Sequence, residues 1–137
     1  MYQIYFLSIL LNLVAGIVLA HESLMEKISL DKVIVPDLLQ KPGFKAGLGV
    51  FTFVVGFLKF LSVTQGDVPV AGDLLPALSG LIMGFTLVLQ YYKEKSNVST
   101  DAVETMDNIF AKNRNLIGII GIVIAVVHFF LPRVLFL

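Results

Sequence analysis

The sequence predicts an all-α membrane protein, a bundle of four transmembrane helices built from two similar helical hairpins. Of its 137 residues, 57% are hydrophobic and only 15% are charged. Four long apolar runs are separated by polar segments. A run of about 20 apolar residues is long enough to cross a hydrocarbon core of roughly 30 Å. We therefore expect a single membrane domain covering residues 1–137.

The apolar runs cover residues 2–20, 44–63, 74–92 and 116–137. The third is the most clearly marked, because Asp73 can cap its start and the two tyrosines at 91 and 92 suit a membrane interface. The first run also resembles a signal peptide. No basic residue precedes it, so we expect it to stay in the protein as a helix.

Small residues recur at helical spacing along the runs. Gly80 and Gly84 form a GxxxG face on which another helix can lie closely. The glycines expected to serve such helix packing are Gly16, Gly47, Gly49, Gly56, Gly80, Gly84, Gly118 and Gly121. These faces predict contacts within the bundle, with a second copy of the chain, or with other membrane subunits.

The polar connector at 93–115 predicts a short amphipathic helix. Asp101 and Glu104 have the spacing of a capping box, which indicates a helix over 102–111. Its apolar face is expected to lie on the membrane surface or against a cytoplasmic partner that docks at 101–113. That face consists of Val103, Met106, Ile109 and Phe110.

The other polar connector, at 21–45, predicts a second short helix, capped by Asp31 and carrying Val35, Leu38 and Leu39 on one face. Each connector carries four basic residues, whereas the turn at 64–72 carries none. By the positive-inside rule, both connectors are expected in the cytoplasm of an inner-membrane protein, with both termini outside.

The two halves of the chain resemble each other. Residues 13–27 align with 81–95 at a displacement of 68, and Gly49 meets Gly121 at a displacement of 72. We infer a duplication with repeat 1 at about 1–65 and repeat 2 at about 70–137. A repeat with an even number of spans keeps its orientation, so it predicts a pseudo-two-fold axis along the membrane normal.

Four polar side chains in or beside the runs are candidate functional residues. We interpret Lys59 as a lysine that snorkels to the interface, or alternatively as the partner of Asp73 in a gate or anion site. Asp73 is expected to cap a helix rather than carry a proton. His128 and Asn12 are expected to make interhelical hydrogen bonds, with proton transfer and substrate contact as the respective alternatives.

Composition excludes several function classes. The net charge of zero gives a nucleic-acid partner no electrostatic support. The chain has no cysteine and two histidines, and its polar residues form no nucleophile–base set, so we expect no metal, cofactor or catalysis.

Two functions remain. The first is a non-catalytic subunit that packs into a larger transport-type membrane complex through its glycine faces. The alternative is a self-assembling homo-oligomeric channel or small transporter, with a polar path near Asn12, Lys59, Asp73 and His128. Both depend on the lipid bilayer and on contacts between chains.

Overall fold

The structure is a computed structural model that describes residues 2–28, 36–61 and 73–131. Those residues form an all-α fold without a strand. The helices are α1 (Tyr2–Leu19), α2 (His21–Ile28), α3 (Pro36–Gln40), α4 (Pro42–Leu61), α5 (Leu74–Lys95), α6 (Asp101–Met106), which continues as a π-helical turn (Asp107–Ala111), and α7 (Arg114–Phe130).

Three of these helices, α1, α4 and α5, are long and apolar enough to cross a membrane. α7 has 17 residues, which is about 26 Å at the helical rise. It is long and apolar enough to cross a membrane only together with the helical segment Asp101–Ala111, and the two are bent by 52° relative to each other. The described residues therefore contain three candidate spans, or four if the bent pair is one span.

Two helices begin where the sequence analysis placed no helix start. α4 begins at Pro42, before the predicted apolar run at 44–63, because proline suits the first helical position. α2 begins at His21, inside the polar connector at 21–45. The predicted cap at Asp31 lies outside the described residues, and α3 buries Leu39 while leaving Leu38 exposed.

α4 and α5 are antiparallel and cross at the predicted GxxxG face. A Cβ atom on Gly84 would lie 2.6 Å from both the carbonyl oxygen of Gly49 and the backbone nitrogen of Phe53. A Cβ on Gly49 would in turn lie 2.9 Å from the carbonyl oxygen of Gly84. The two backbones are thus in direct contact, which only glycine permits at these positions.

α1 and α7 are also antiparallel and cross in the same way. A Cβ on Gly16 would lie 2.8 Å from the carbonyl oxygen of Gly118 and 3.2 Å from the backbone nitrogen of Ile122. A Cβ on Gly118 would lie 2.6 Å from the carbonyl oxygen of Gly16. Each crossing therefore rests on a reciprocal glycine pair, one in each antiparallel helix pair.

The other predicted packing glycines divide into two groups. Gly56 and Gly80 lie against each other's backbone between α4 and α5, and Gly121 accommodates the sulfur of Met83. Gly47 differs, because it is exposed and a Cβ there would meet nothing within 4 Å. Gly47 therefore takes no part in packing among the described residues, whereas the other seven predicted glycines do.

The predicted helix of the second connector is confirmed over 101–111, but its cap differs. Thr100 is the N-cap residue, and its side chain accepts a hydrogen bond from the backbone nitrogen of Val103. Asp101 is already helical, where its charge suits the positive end of the helix dipole. The N-cap residue is therefore Thr100, one residue before the Asp101 that the predicted Asp101–Glu104 capping box placed there.

This connector helix lies back along α5. Lys93 pairs with Asp107 at 2.6 Å, and the ring of Phe110 packs edge-on against Phe85 with centroids 5.2 Å apart. Met106 and Ile109 remain exposed. Of the predicted apolar face, Phe110 thus packs against α5, whereas Met106 and Ile109 do not face the bundle.

Candidate functional site

Three of the four candidate residues meet at one end of the bundle, which we call the turn end because α4 and α5 are joined there through residues 62–72. Lys59 lies in the last turn of α4, Asp73 immediately precedes α5, and His128 lies in the last turn of α7. The antiparallel packing of α4 with α5 and of α7 with α1 brings these helix ends together.

Asp73 bridges the other two side chains. Its Oδ2 atom lies 2.9 Å from Nζ of Lys59, and its Oδ1 atom lies 3.5 Å from Nε2 of His128. Nζ of Lys59 and Nε2 of His128 are 3.5 Å apart. One carboxylate thus faces two basic groups, one of which can be neutral or charged depending on its proton.

Tyr5 of α1 completes this group, and the sequence analysis did not identify it. Its hydroxyl donates a hydrogen bond of 2.8 Å to the carbonyl oxygen of His128. The centroid of its ring lies 4.7 Å from that of the His128 imidazole, in an edge-on arrangement. The Nζ atom of Lys59 lies over the Tyr5 ring, 5.2 Å from its centroid. We call Tyr5, Lys59, Asp73 and His128 the buried cluster.

The burial of this cluster corrects the interpretation of Lys59 as a snorkelling side chain. Lys59 is only 2% exposed, and its nitrogen turns to Asp73 instead of to solvent. Asp73 occupies the N-cap position of α5, but its side chain makes no capping hydrogen bond there. The carboxylate is held by charge pairing, because a buried lysine without an anion is costly.

Asn12 is separate from the cluster. It lies about 10 Å further along α1 from Tyr5 at the helical rise. Its amide nitrogen donates to the carbonyl oxygen of Pro76 at 3.0 Å, and its Oδ1 atom would lie 3.0 Å from a Cβ on Gly80. Asn12 therefore links α1 to α5 through an interhelical hydrogen bond.

The cluster members show the sequence separations that the predicted duplication implies. Asp73 lies 68 residues after Tyr5, and His128 lies 69 residues after Lys59. The glycines of the two crossings show the same separations along the sequence, 68 residues between Gly16 and Gly84 and 69 residues between Gly49 and Gly118. Residues 1–65 contribute Tyr5 of α1 and Lys59 of α4, and residues 70–137 contribute Asp73 immediately before α5 and His128 of α7.

The donor set suits a proton better than a metal ion. Among the described residues, no group of three histidine, aspartate or glutamate side chains lies close enough to hold a metal. The cluster instead places a histidine, the side chain that binds and releases protons near neutral pH, against a carboxylate and an ammonium group. The arrangement can thus store or release a proton inside an apolar bundle.

A model of a protein family of unknown function matches residues 1–128. The chain belongs to that family. The matched residues include all four members of the buried cluster. No curated protein and no solved structure matches the chain. Family membership therefore brings no activity with it, and a function has to be inferred from the buried cluster.

Proposed function

We propose that the protein is a small membrane component of transport type, and that the buried cluster is its proton-binding site. The observation that supports this proposal is the burial of Lys59, Asp73 and His128 in contact with one another among apolar helices. Ionisable side chains buried between the helices of a membrane protein are expensive, and they often mark ion or proton sites.

The alternative proposed from sequence, a polar path through the bundle, is supported only at its turn end. In the proposed orientation both connectors are cytoplasmic, so the buried cluster lies near the outer surface. Protonation of His128 would place two positive charges beside the single carboxylate of Asp73. The second positive charge weakens the electrostatic attraction between Asp73 and Lys59. The cluster therefore has two states that differ by one proton.

Proton flux into liposomes tests this proposal. The full-length protein is reconstituted with a pH-sensitive dye inside, and an outside acid pulse is applied while valinomycin and potassium compensate charge. We expect flux above that of empty liposomes, and loss of that flux in Asp73→Asn. Asp107→Asn is the matched control, because it removes a carboxylate of the same type from an exposed pair at the opposite end.

Two results would contradict the transport proposal. The first is wild-type flux equal to that of empty liposomes. The second is flux in Asp73→Asn as high as in Asp107→Asn, which would separate proton movement from the cluster. Circular dichroism on the same preparations shows that each variant is folded, so that a loss of flux is not a loss of structure.

A non-catalytic subunit remains the second candidate, and the exposed apolar side chains of the connector helix favour it. Met106 and Ile109 are exposed on the segment proposed for docking. The glycine faces offer less support, because most of them are already used between helices of this chain. Purification in mild detergent with mass measurement tests this candidate: Ile109→Ser should release a bound partner, and a chain that always purifies alone contradicts it.

A further inference from the structure

A second polar site lies at the opposite end of the bundle, which we call the connector end. It is a cavity of about 230 Å³ between α1, α2, α3, α4, α5 and α7. We call it the connector pocket, and its polar lining is formed by His21, Glu22, Gln40, Lys45, Gln90 and Arg114. Its volume is below the range of drug-sized sites, so it suits a small group.

The basic side chains of the pocket are more buried than the acids that pair with them. Lys45 is 10% exposed and lies 3.4 Å from Glu94, which is 42% exposed. Arg114 is 38% exposed and pairs with Glu22, which is 63% exposed. Surface pairs of this kind contribute little, so both carboxylates can return to water at small cost when another anion takes their place.

Gln90 provides the observation that points to a ligand. It lines the pocket from α5 and is only 9% exposed. Its buried Nε2 atom has no hydrogen-bond partner among the described residues. A buried donor without an acceptor is costly and uncommon, and a ligand oxygen in the pocket would satisfy it.

The connector pocket therefore offers three donors from three different helices: the ammonium of Lys45, the guanidinium of Arg114 and the amide of Gln90. We propose that the pocket binds a phosphate-type oxyanion, either a lipid headgroup or a free phosphate. Such a group has several acceptor oxygens, and arginine binds two of them at once. Basic pockets between membrane helices near the cytoplasmic surface are a recognised form of headgroup site.

Thermal unfolding of the full-length protein in detergent tests this proposal, with two separate probes. One is inorganic phosphate, and the other is phosphatidylglycerol added to the micelles. A ligand that binds the folded state raises the melting temperature with its concentration. We expect at least one probe to do so saturably. Stabilisation by phosphatidylglycerol alone assigns the site to a lipid headgroup, and stabilisation by inorganic phosphate assigns it to a free anion.

Three variants locate the binding. Gln90→Leu should weaken the effective probe about tenfold, because it removes a hydrogen bond to a charged group at similar side-chain size. Lys95→Gln removes an exposed charge outside the pocket and should bind as the wild type does. Glu22→Gln should bind more tightly than the wild type, because Arg114 loses its competing carboxylate, and this gain cannot come from misfolding.

The proposal is overturned if neither probe raises the melting temperature of the wild type. It is also overturned if Gln90→Leu binds as tightly as Lys95→Gln, or if Glu22→Gln fails to bind more tightly than the wild type.

Discussion

Replacing Gly84 by alanine tests the close crossing of α4 and α5. The new methyl group would lie 2.6 Å from the carbonyl oxygen of Gly49 and from the nitrogen of Phe53. Ordinary contact begins near 3.4 Å, so the helices must separate locally by about 0.8 Å. The obstructing atoms are backbone, and no side-chain rotation can relieve the overlap.

The magnitude follows from what that separation removes. A gap of about 0.5–1 Å forfeits a quarter to a half of the dispersion attraction between the atoms that line it. Overpacking of well-packed interiors typically costs about 1–3 kcal/mol. Alanine regains about 1 kcal/mol of helix propensity over glycine, which offsets part of the loss. We expect Gly84→Ala to lower the free energy of unfolding by about 1 kcal/mol, within a range of about 0–2 kcal/mol.

Gly47→Ala is the matched control on the neighbouring helix. A Cβ there meets nothing within 4 Å, so only the gain in helix propensity remains. We expect this variant to be as stable as the wild type or up to about 1 kcal/mol more stable. Unfolding by sodium dodecyl sulfate in mixed micelles, followed by near-ultraviolet circular dichroism of the tyrosines, measures both. Equal stability of the two variants would refute the crossing.

Three further perturbations test other contacts. Asp73→Asn should lower the free energy of unfolding by about 3 kcal/mol, because it leaves the buried Lys59 without its carboxylate partner. The double variant Asp73→Asn with Lys59→Met should lose less stability than Asp73→Asn alone. A larger loss in the double variant contradicts the pairing. Thr100→Ala should destabilise the connector helix locally by about 1 kcal/mol, seen as faster hydrogen exchange at 101–111, and unchanged exchange would rule out the cap. The Arg114 guanidinium holds the pKa of the Glu22 carboxyl below its ordinary value, mainly through their hydrogen bond. The stabilisation from this pair is therefore fully present above the pKa of Glu22 in the unfolded chain, and it is lost as pH falls through the lower pKa of Glu22 in the folded protein. Arg114→Gln should raise the pKa of Glu22 in a carbon-13 titration. An unchanged pKa would show that the pair is absent in solution.

The parts of this structure that the sequence predicted are those decided by spacing along one helix. The apolar runs predicted α1, α4 and α5 because length and hydropathy are local properties. The GxxxG face of Gly80 and Gly84 was identifiable for the same reason, since residues four apart lie on one side of a helix. Which helix would occupy that face was not predicted, because it depends on tertiary packing.

The buried cluster was predicted only in part. The short sequence separation between Lys59 and Asp73 predicts their pairing as one of two alternatives. A lysine near a helix end usually reaches water, which favours the other alternative, snorkelling. The presence of His128 and Tyr5 depends on how α1 and α7 pack, and a tyrosine at the start of an apolar run is typical of an interface.

The predicted duplication is consistent with these contacts but requires a different alignment of the second helices. Gly16 contacts Gly118 in the way that Gly84 contacts Gly49. If the duplication is real, these contacts match α4 with α7 at a displacement of 69, and not at the 72 that matches Gly49 with Gly121. Identity alone favoured Gly121, because a glycine lies there as well as at 118.

The corrected displacement makes a prediction that a superposition of the two hairpins decides. A rotation near 180° about the bundle axis should bring α1 onto α5 and α4 onto α7, with Gly49 on Gly118 and Lys59 on His128. The physical reason is that a reciprocal glycine pair permits only one close crossing, so equal crossings place the flanking residues equally. Residues near the axis would then meet their own counterparts, which is why Asn12 lies against Gly80, 68 residues later. Hairpins that match only after one is inverted, or that match at displacements other than 68 for α1 on α5 and 69 for α4 on α7, would show that the repeat is absent. The convergence of the buried cluster would then have to be explained by side-chain pairing alone.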